Sequence, residues 1–166
     1  GRTVLEAMTS KEYEHPILEL NRLCLLKNKK NYASFLIGRS LKLLPKPNII
    51  ISYADTAMNH NGYIYQATNF MYCGLSEKRT DWVLKEGNKH SRGLSAQFSY
   101  EEMKADTENF KFVDRSRKHR YIFFLGNKTE KKGFLKNLKY SIQSYPKNEN
   151  KNYEVVNNIN TQMLLF

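Results

Sequence analysis

Acidic and phenolic side chains that can do acid–base chemistry follow an apolar stretch at residues 48–53. Tyr53 and Asp55 come at its end, and Tyr65 lies further along the chain. A carboxylate accepts a proton from an amine or orients it, and a phenol donates one. Tyr53 and Asp55 share one face of a strand, whereas Ser52 faces the other side. The competing interpretations are a turn-forming role for Asp55 and core packing for Tyr65.

Two sets of cations are candidates for binding anions. Arg22 and Arg39 occur in segments whose apolar patterns predict burial, and a buried arginine needs an anionic partner. That partner is either a carboxylate, Glu19 or Asp55, or a ligand phosphate. The second set is a basic and aromatic run that we predict to bind nucleic acid, unless it is a solvated loop. It comprises Arg115, Arg117, Lys118, His119, Arg120 and Tyr121.

The elements that must position these residues follow the order strand, helix, strand, helix, strand. Residues 17–26 alternate and then become continuously apolar, which predicts a strand, and helical spacing predicts a helix over 32–44. A strand over 48–53, a short helix over 63–68 and a strand over 70–73 complete the unit. Ligands of open α/β sheets bind outside the carboxyl ends of parallel strands, where Ser52, Tyr53 and Asp55 fall.

The chain beyond Gly74 is more basic and less regular. We predict a loop over 90–98, helices over 100–105 and 129–138, and strands over 110–113 and 121–125. A short helix is predicted over 3–13. We expect one domain over residues 1–145, with its core at 17–74, a basic half at 75–145 and a loosely held tail at 146–166.

Composition narrows the classes of function. An apolar content of 40% argues against a disordered chain. The 27 Lys+Arg residues against 16 Asp+Glu give a net charge of +11, which favours a polyanionic partner. We find no membrane-spanning run and no signal peptide. Cys24 and Cys73 have no metal-ligand spacing and are predicted to be buried thiols. Nothing in the sequence matches a Ser-His-Asp triad, a phosphate-binding Walker loop or a zinc cluster.

Short sequence patterns carry two resemblances to known proteins. Ile64-Tyr-Gln-Ala-Thr-Asn-Phe70 is similar to the Leu-Tyr-x-x-x-Gly-Phe pattern of the GNAT acyltransferase superfamily, with Asn69 in the glycine position. Together with Ser-Tyr-Ala-Asp55, Leu-Asn-Arg-Leu, Arg-Ser-Leu and Arg-Lys-His-Arg-Tyr121, it resembles the Mom DNA-modification proteins of bacteriophages. The resemblance covers most of residues 17–145.

The resemblance implies a mixed α/β, GNAT-like fold that lacks its first strands in this chain. It implies an enzyme that converts adenine in DNA to an N6-carbamoylmethyl derivative and so blocks restriction, in the cytoplasm of an infected host. Asp55 then positions or deprotonates the adenine amine, and Tyr65 protonates a leaving group. We therefore predict Asp55, Tyr65 and Tyr53 as catalytic residues. DNA is the expected partner, with no membrane.

The sequence differs from the superfamily pattern in the segment that normally binds the cofactor. Acyl-CoA enzymes use a glycine-rich turn at a helix start to hold pyrophosphate, but residues 31–37 contain no glycine. Lys27, Lys29, Lys30 and the helix start can still attract an anion. We predict that Arg22, Tyr32, Ser34 and Arg39 bind the cofactor, and we leave acyl-CoA open as its identity.

Two other functions compete with DNA modification. An N-acyltransferase for small molecules or proteins needs the acyl-CoA turn, and its missing glycines count against it. A non-catalytic nucleic-acid-binding or inhibitor protein has no need of the polar residues at the strand ends. Because the chain starts at Gly1-Arg2, we also expect a preceding segment or a partner chain.

Overall fold

The computed structural model describes residues 17–27, 29–86 and 91–147, and helices and strands are mixed along these ranges. This mixture of helices and strands confirms the predicted α/β class. In chain order the elements are β1 (Leu18–Leu20), α1 (Tyr32–Leu43), β2 (Asn48–Asp55), a 3₁₀ turn (Thr56–Met58), α2 (Tyr63–Ala67), β3 (Met71–Leu75), β4 (Thr80–Leu84), α3 (Ser91–Ser95), α4 (Tyr100–Ala105), β5 (Phe110–Asp114), β6 (Lys118–Leu125) and α5 (Lys128–Asn137).

Four strands form the main sheet in the order β1-β2-β6-β3. Strands β1 and β2 are parallel, with Leu18 opposite Ile50 and Leu20 opposite Ser52. Helix α1 connects them, so the predicted βαβ unit is confirmed. The Ser52 hydroxyl, which is fully buried, donates a hydrogen bond to the Leu20 carbonyl at 2.7 Å. This bond ties the two parallel strands together beside the point where β1 ends.

The sheet has two faces, which we name after the helices that cover them. Because side chains alternate along a strand, neighbouring residues of β2 and β6 enter different cores. The α1 face is built from Ile37, Leu41, Ile50, Ala54, Phe70, Tyr72, Tyr121 and Leu125. The α5 face is built from Ile49, Ile51, Cys73, Ile122 and Phe124, with Tyr53, Phe134, Leu138 and Tyr140 packed against it.

The described residues divide into two compact units, with boundaries after Gly74 and after Lys118. The second unit, residues 75–118, contains the antiparallel pair β4–β5, in which Trp82 lies opposite Phe112. Its core consists of Leu94, Met103 and Phe110, with Trp82 and Leu84 packed against them. A capping box between Ser99 and Glu102 starts α4.

Three sequence-based expectations need correction or fall outside these ranges. Strand β1 ends at Leu20 and not at residue 26, and Cys24 beyond it is exposed, so this thiol is not buried. The segment predicted as a loop contains α3, because Leu94 anchors it in the second core with 0% exposure. The predicted helix over 3–13 lies outside the described residues. Among the described helices, none is long and apolar enough to cross a bilayer.

Candidate functional site

A groove of about 570 Å³ lies on the α1 face of the main sheet. Its volume is within the range of pockets that hold small ligands. Helix α1 forms one wall with positions that recur at helical spacing, and the end of α2 and strand β6 form the rest. The lining residues are Asn31, Ser34, Phe35, Gly38, Leu41, Lys42, Lys46, Ala67, Thr68, Asn69, Phe123 and Leu125.

The groove combines an apolar floor with a cationic and polar rim. Phe35, Leu41 and Phe123 supply apolar surface, while the cationic residues Lys42 and Lys46 line the same cavity. Such a lining suits a ligand that has an apolar part and an anionic part. Gly38 faces open space, because a Cβ added there meets no atom within 4 Å.

Two asparagines with unusual backbone geometry border this groove. Asn31 starts α1 with φ 68°, and Asn69 follows α2 with φ 61°. Both angles lie in the left-handed region, which asparagine tolerates better than most residues and glycine tolerates best. Asn69, which takes the place of glycine in the Leu-Tyr-x-x-x-Gly-Phe pattern named above, thus has a backbone angle that glycine also adopts readily. The Ser34 hydroxyl donates to the Asn31 carbonyl at 3.0 Å and holds the start of α1 in place.

Only one of the four residues predicted to bind the cofactor, Ser34, lines the groove. Arg22 and Arg39 are exposed, so the burial on which their prediction rested is wrong. The guanidinium of Arg39 lies 5.2 Å from the ring centroid of Phe35 on the surface of α1. Tyr32 is 38% exposed, with the Lys29 ammonium 5.9 Å from its ring centroid.

Asp55 ends β2 at the edge of the sheet where β1 also ends. Its carboxylate accepts a hydrogen bond from the Ala57 backbone N–H at 2.9 Å and so starts the 3₁₀ turn. The turn-forming interpretation is thus realised in the structure. Asp55 is partly exposed, and proton acceptance by its carboxylate stays a prediction.

Tyr53 lies on the α5 face beside a buried arginine. Arg120 is 9% exposed, donates to the Cys73 carbonyl at 3.2 Å, and stacks 3.8 Å from the ring centroid of Tyr140. Burial raises the pKa of the Tyr53 hydroxyl, and the hydrogen bond from Arg120 opposes part of that rise. The Arg120 Nε atom has no partner among the described residues.

Tyr65 lies on the α1 face, the other side of the sheet from Tyr53. Its ring is 5.6 Å from that of Phe70 and 5.3 Å from that of Tyr121, measured between centroids. The structure therefore does not bring the three predicted catalytic residues onto one face. Asp55 and Tyr53 belong to one side, and Tyr65 packs in the core next to the groove.

The predicted nucleic-acid run is largely engaged in the fold. Arg115 pairs with Asp81 at 3.5 Å, and the Arg117 Nε donates to the Ser76 carbonyl at 2.7 Å. The backbone N–H of Lys118 donates to the Ser76 hydroxyl at 2.9 Å. These residues shape the end of the second unit, which the charge pattern alone did not indicate.

The other half of that run lies in the main sheet. His119 contacts the Tyr72 hydroxyl at 2.9 Å through Nδ1, and burial lowers its pKa. Tyr121 has 0% exposure and Arg120 is buried as well, because the alternation of β6 turns both side chains into the cores. Contact of these two residues with nucleic acid stays a prediction, which their burial does not favour.

Tyr121 instead organises the loop that leads into α2. Its hydroxyl donates to the Asn61 carbonyl and accepts from the Gln66 amide at 3.1 Å. Burial raises the pKa of this hydroxyl to about 12. Gln66 also donates to the Pro146 carbonyl at 3.3 Å, and the Tyr145 hydroxyl donates to the Phe70 carbonyl at 2.8 Å. The chain is therefore held to the main sheet at least as far as Pro146.

Lys42, Lys46 and Asn69 are among the groove residues that sequence reasoning missed. Lys42 follows Gly38 by one helical turn, so the periodicity of α1 predicts that these two residues lie on the same wall of the groove. No local pattern brings Phe123 of β6 to the same place, because that contact depends on the order of the strands. Within the described ranges, no cluster of three His, Cys, Asp or Glu side chains has the geometry to hold a metal ion.

Residues 2–147 match a family model described as the Mom protein family. The match spans both walls of the groove, the end of β2 and helix α5. No curated protein matches the chain in sequence.

Proposed function

Because the chain belongs to the Mom protein family, which indicates a DNA-modification protein of a bacteriophage, we propose that it modifies adenine in DNA. The product in this proposal is an N6-carbamoylmethyl-type adenine, which protects the DNA from restriction. The family match over residues 2–147 is the observation that carries the proposal. A GNAT-like transferase mechanism is part of the same proposal, supported by the strand–helix–strand–helix–strand order from β1 to β3.

The groove on the α1 face is the proposed site of the group donor. Lys42 and Lys46 suit an anionic part of the donor, and the apolar floor suits the remainder. The glycine turn that normally approaches a pyrophosphate is absent, and Asn31 occupies the start of α1 with left-handed geometry. The groove therefore does not reproduce the usual acyl-CoA cradle.

The adenine amine is proposed to bind at the carboxyl end of β2. Helix α1 follows β1, and β2 is parallel to β1. The start of α1, which lines the groove, and Asp55 thus belong to the same edge of the sheet. In the transfer, adenine N6 bonds to the donor carbon, the donor's leaving group departs with its electron pair, and Asp55 takes the N6 proton. The base has to leave the duplex stack to reach this edge.

Mass spectrometry of nucleosides tests the proposal. DNA is isolated from cells that express the chain and from cells with an empty vector, and is digested to nucleosides. We expect an adenine nucleoside shifted by the mass of a carbamoylmethyl group only when the chain is expressed. Unmodified adenine at matched levels of folded protein contradicts the proposal.

Asp55→Asn separates chemistry from turn formation. An asparagine side chain still caps the 3₁₀ turn through its amide oxygen, so the fold is kept while the proton acceptor is lost. We expect modification to fall by roughly 10²–10⁴-fold. Equal modification by wild type and Asp55→Asn assigns Asp55 to the turn alone.

A further inference from the structure

Helix α5 presents a row of lysines that is separate from the predicted nucleic-acid run. Lys128, Lys132 and Lys136 recur every four residues and therefore lie along one side of the helix. Lys131 lies next to them, and all four side chains are exposed. We call these four residues the α5 lysine row.

The helix that carries the row is fixed to the main sheet. Phe134 packs on Phe124 with ring centroids 5.4 Å apart on the α5 face. A capping box starts the helix, in which the Glu130 carboxylate accepts from the Asn127 N–H at 2.7 Å. Glu130, the acidic residue of α5, is thereby committed to the cap and does not neutralise the lysines.

The row contrasts with the run at 115–121. In that run Arg115 pairs with Asp81, Arg117 binds a backbone carbonyl, and Arg120 is buried. Those contacts hold the protein together. The lysines of the row are exposed to water, where a polyanion can reach them, and removing them costs little structure.

We propose that the α5 lysine row binds the phosphate backbone of duplex DNA. This inference rests on the proposed function, since it names the surface that holds the substrate of that reaction. Successive lysines of the row are about 6 Å apart along the helix axis at 1.5 Å per residue. This spacing is close to two nucleotide steps of about 3.4 Å along one strand, so several lysines can contact one backbone. The row is on the same side of the sheet as Tyr53.

Salt-dependent binding measures the contribution of the row. Fluorescence anisotropy with a labelled duplex gives the slope of log K against log salt for wild type and for Lys131→Gln/Lys132→Gln/Lys136→Gln. Each lost phosphate contact lowers the slope by about 0.9, so we expect a decrease of roughly 2 to 3. A matched control removes three exposed charges from the second unit, by Lys85→Gln/Lys104→Gln/Lys111→Gln, and should keep the wild-type slope.

A charge-preserving variant completes the design. Lys131→Arg/Lys132→Arg/Lys136→Arg should restore the wild-type slope, because arginine also neutralises phosphate. An unchanged slope in the glutamine variant overturns the inference, and so does an equal decrease in the control. These readouts report binding and not adenine modification. A failure of the surface is therefore distinguishable from a failure of the proposed reaction.

Discussion

Gly62 is the residue whose replacement tests the packing around the candidate site most severely. It lies immediately before α2 with φ 74°, in the left-handed region. A Cβ built at this position overlaps the ring of Tyr121, which is fully buried and itself fixed by Asn61 and Gln66. Gly62→Ala therefore forces either the loop or the tyrosine ring to move.

The expected loss of stability has two parts. The left-handed conformation costs a residue with a Cβ about 1–2 kcal/mol. Overpacking against a side chain that cannot leave its site costs a further 1–3 kcal/mol or so. Together these predict that Gly62→Ala lowers the free energy of unfolding by about 2–5 kcal/mol, a large share of the 5–15 kcal/mol typical of a folded domain.

Gly38→Ala is the matched control for this prediction. Gly38 lies inside α1 and its added Cβ meets open space. This change should raise stability by about 0.5–1 kcal/mol, because alanine favours the helix. Urea denaturation followed by far-UV circular dichroism gives both values. A Gly62→Ala midpoint equal to that of wild type refutes the reasoning about the loop and Tyr121.

Two further predictions concern ionisable groups. Cys24 is exposed, whereas burial raises the pKa of the Cys73 thiol to about 11. Iodoacetamide at pH 8 should therefore alkylate Cys24 first. Fast labelling that persists in Cys24→Ser contradicts this expectation. Burial lowers the pKa of His119 below its ordinary 6.5, so the unfolded chain binds more protons there and the free energy of unfolding should fall as pH drops below 6.5. His119→Gln should weaken that dependence, and an equal dependence in this variant rules out the role of His119.

Local sequence patterns were sufficient to predict most elements of the main sheet and its helices. The apolar spacing of α1 and the β-branched run of β2 predicted elements that the structure contains within a residue or two. Helices α5 and α4 begin with complete capping boxes at Asn127 and Ser99, which are local features of the same kind. These features depend on neighbours in sequence, which a pattern records directly.

The candidate site was harder to predict because it depends on contacts between residues that are far apart in the sequence. The run at 115–121 looks like a basic surface, yet β6 lies between β2 and β3 and buries Arg120 and Tyr121. Arg22 was expected to be buried because an apolar run follows it, but β1 ends at Leu20 and leaves that arginine exposed. Phe123 joins Gly38 in the groove through tertiary contacts alone.

In the proposed function, a donor held in the groove supplies a group to adenine in DNA. Gly38→Leu fills the groove from a position with open space, and Gly93→Leu makes the same change where an added Cβ also meets nothing, in α3 of the second unit. The measurement is modified adenine per total adenine, by mass spectrometry of nucleosides at matched levels of folded protein. We expect wild type and Gly93→Leu to modify DNA and Gly38→Leu to lose most of that activity. Full modification by Gly38→Leu contradicts binding of the donor in the groove.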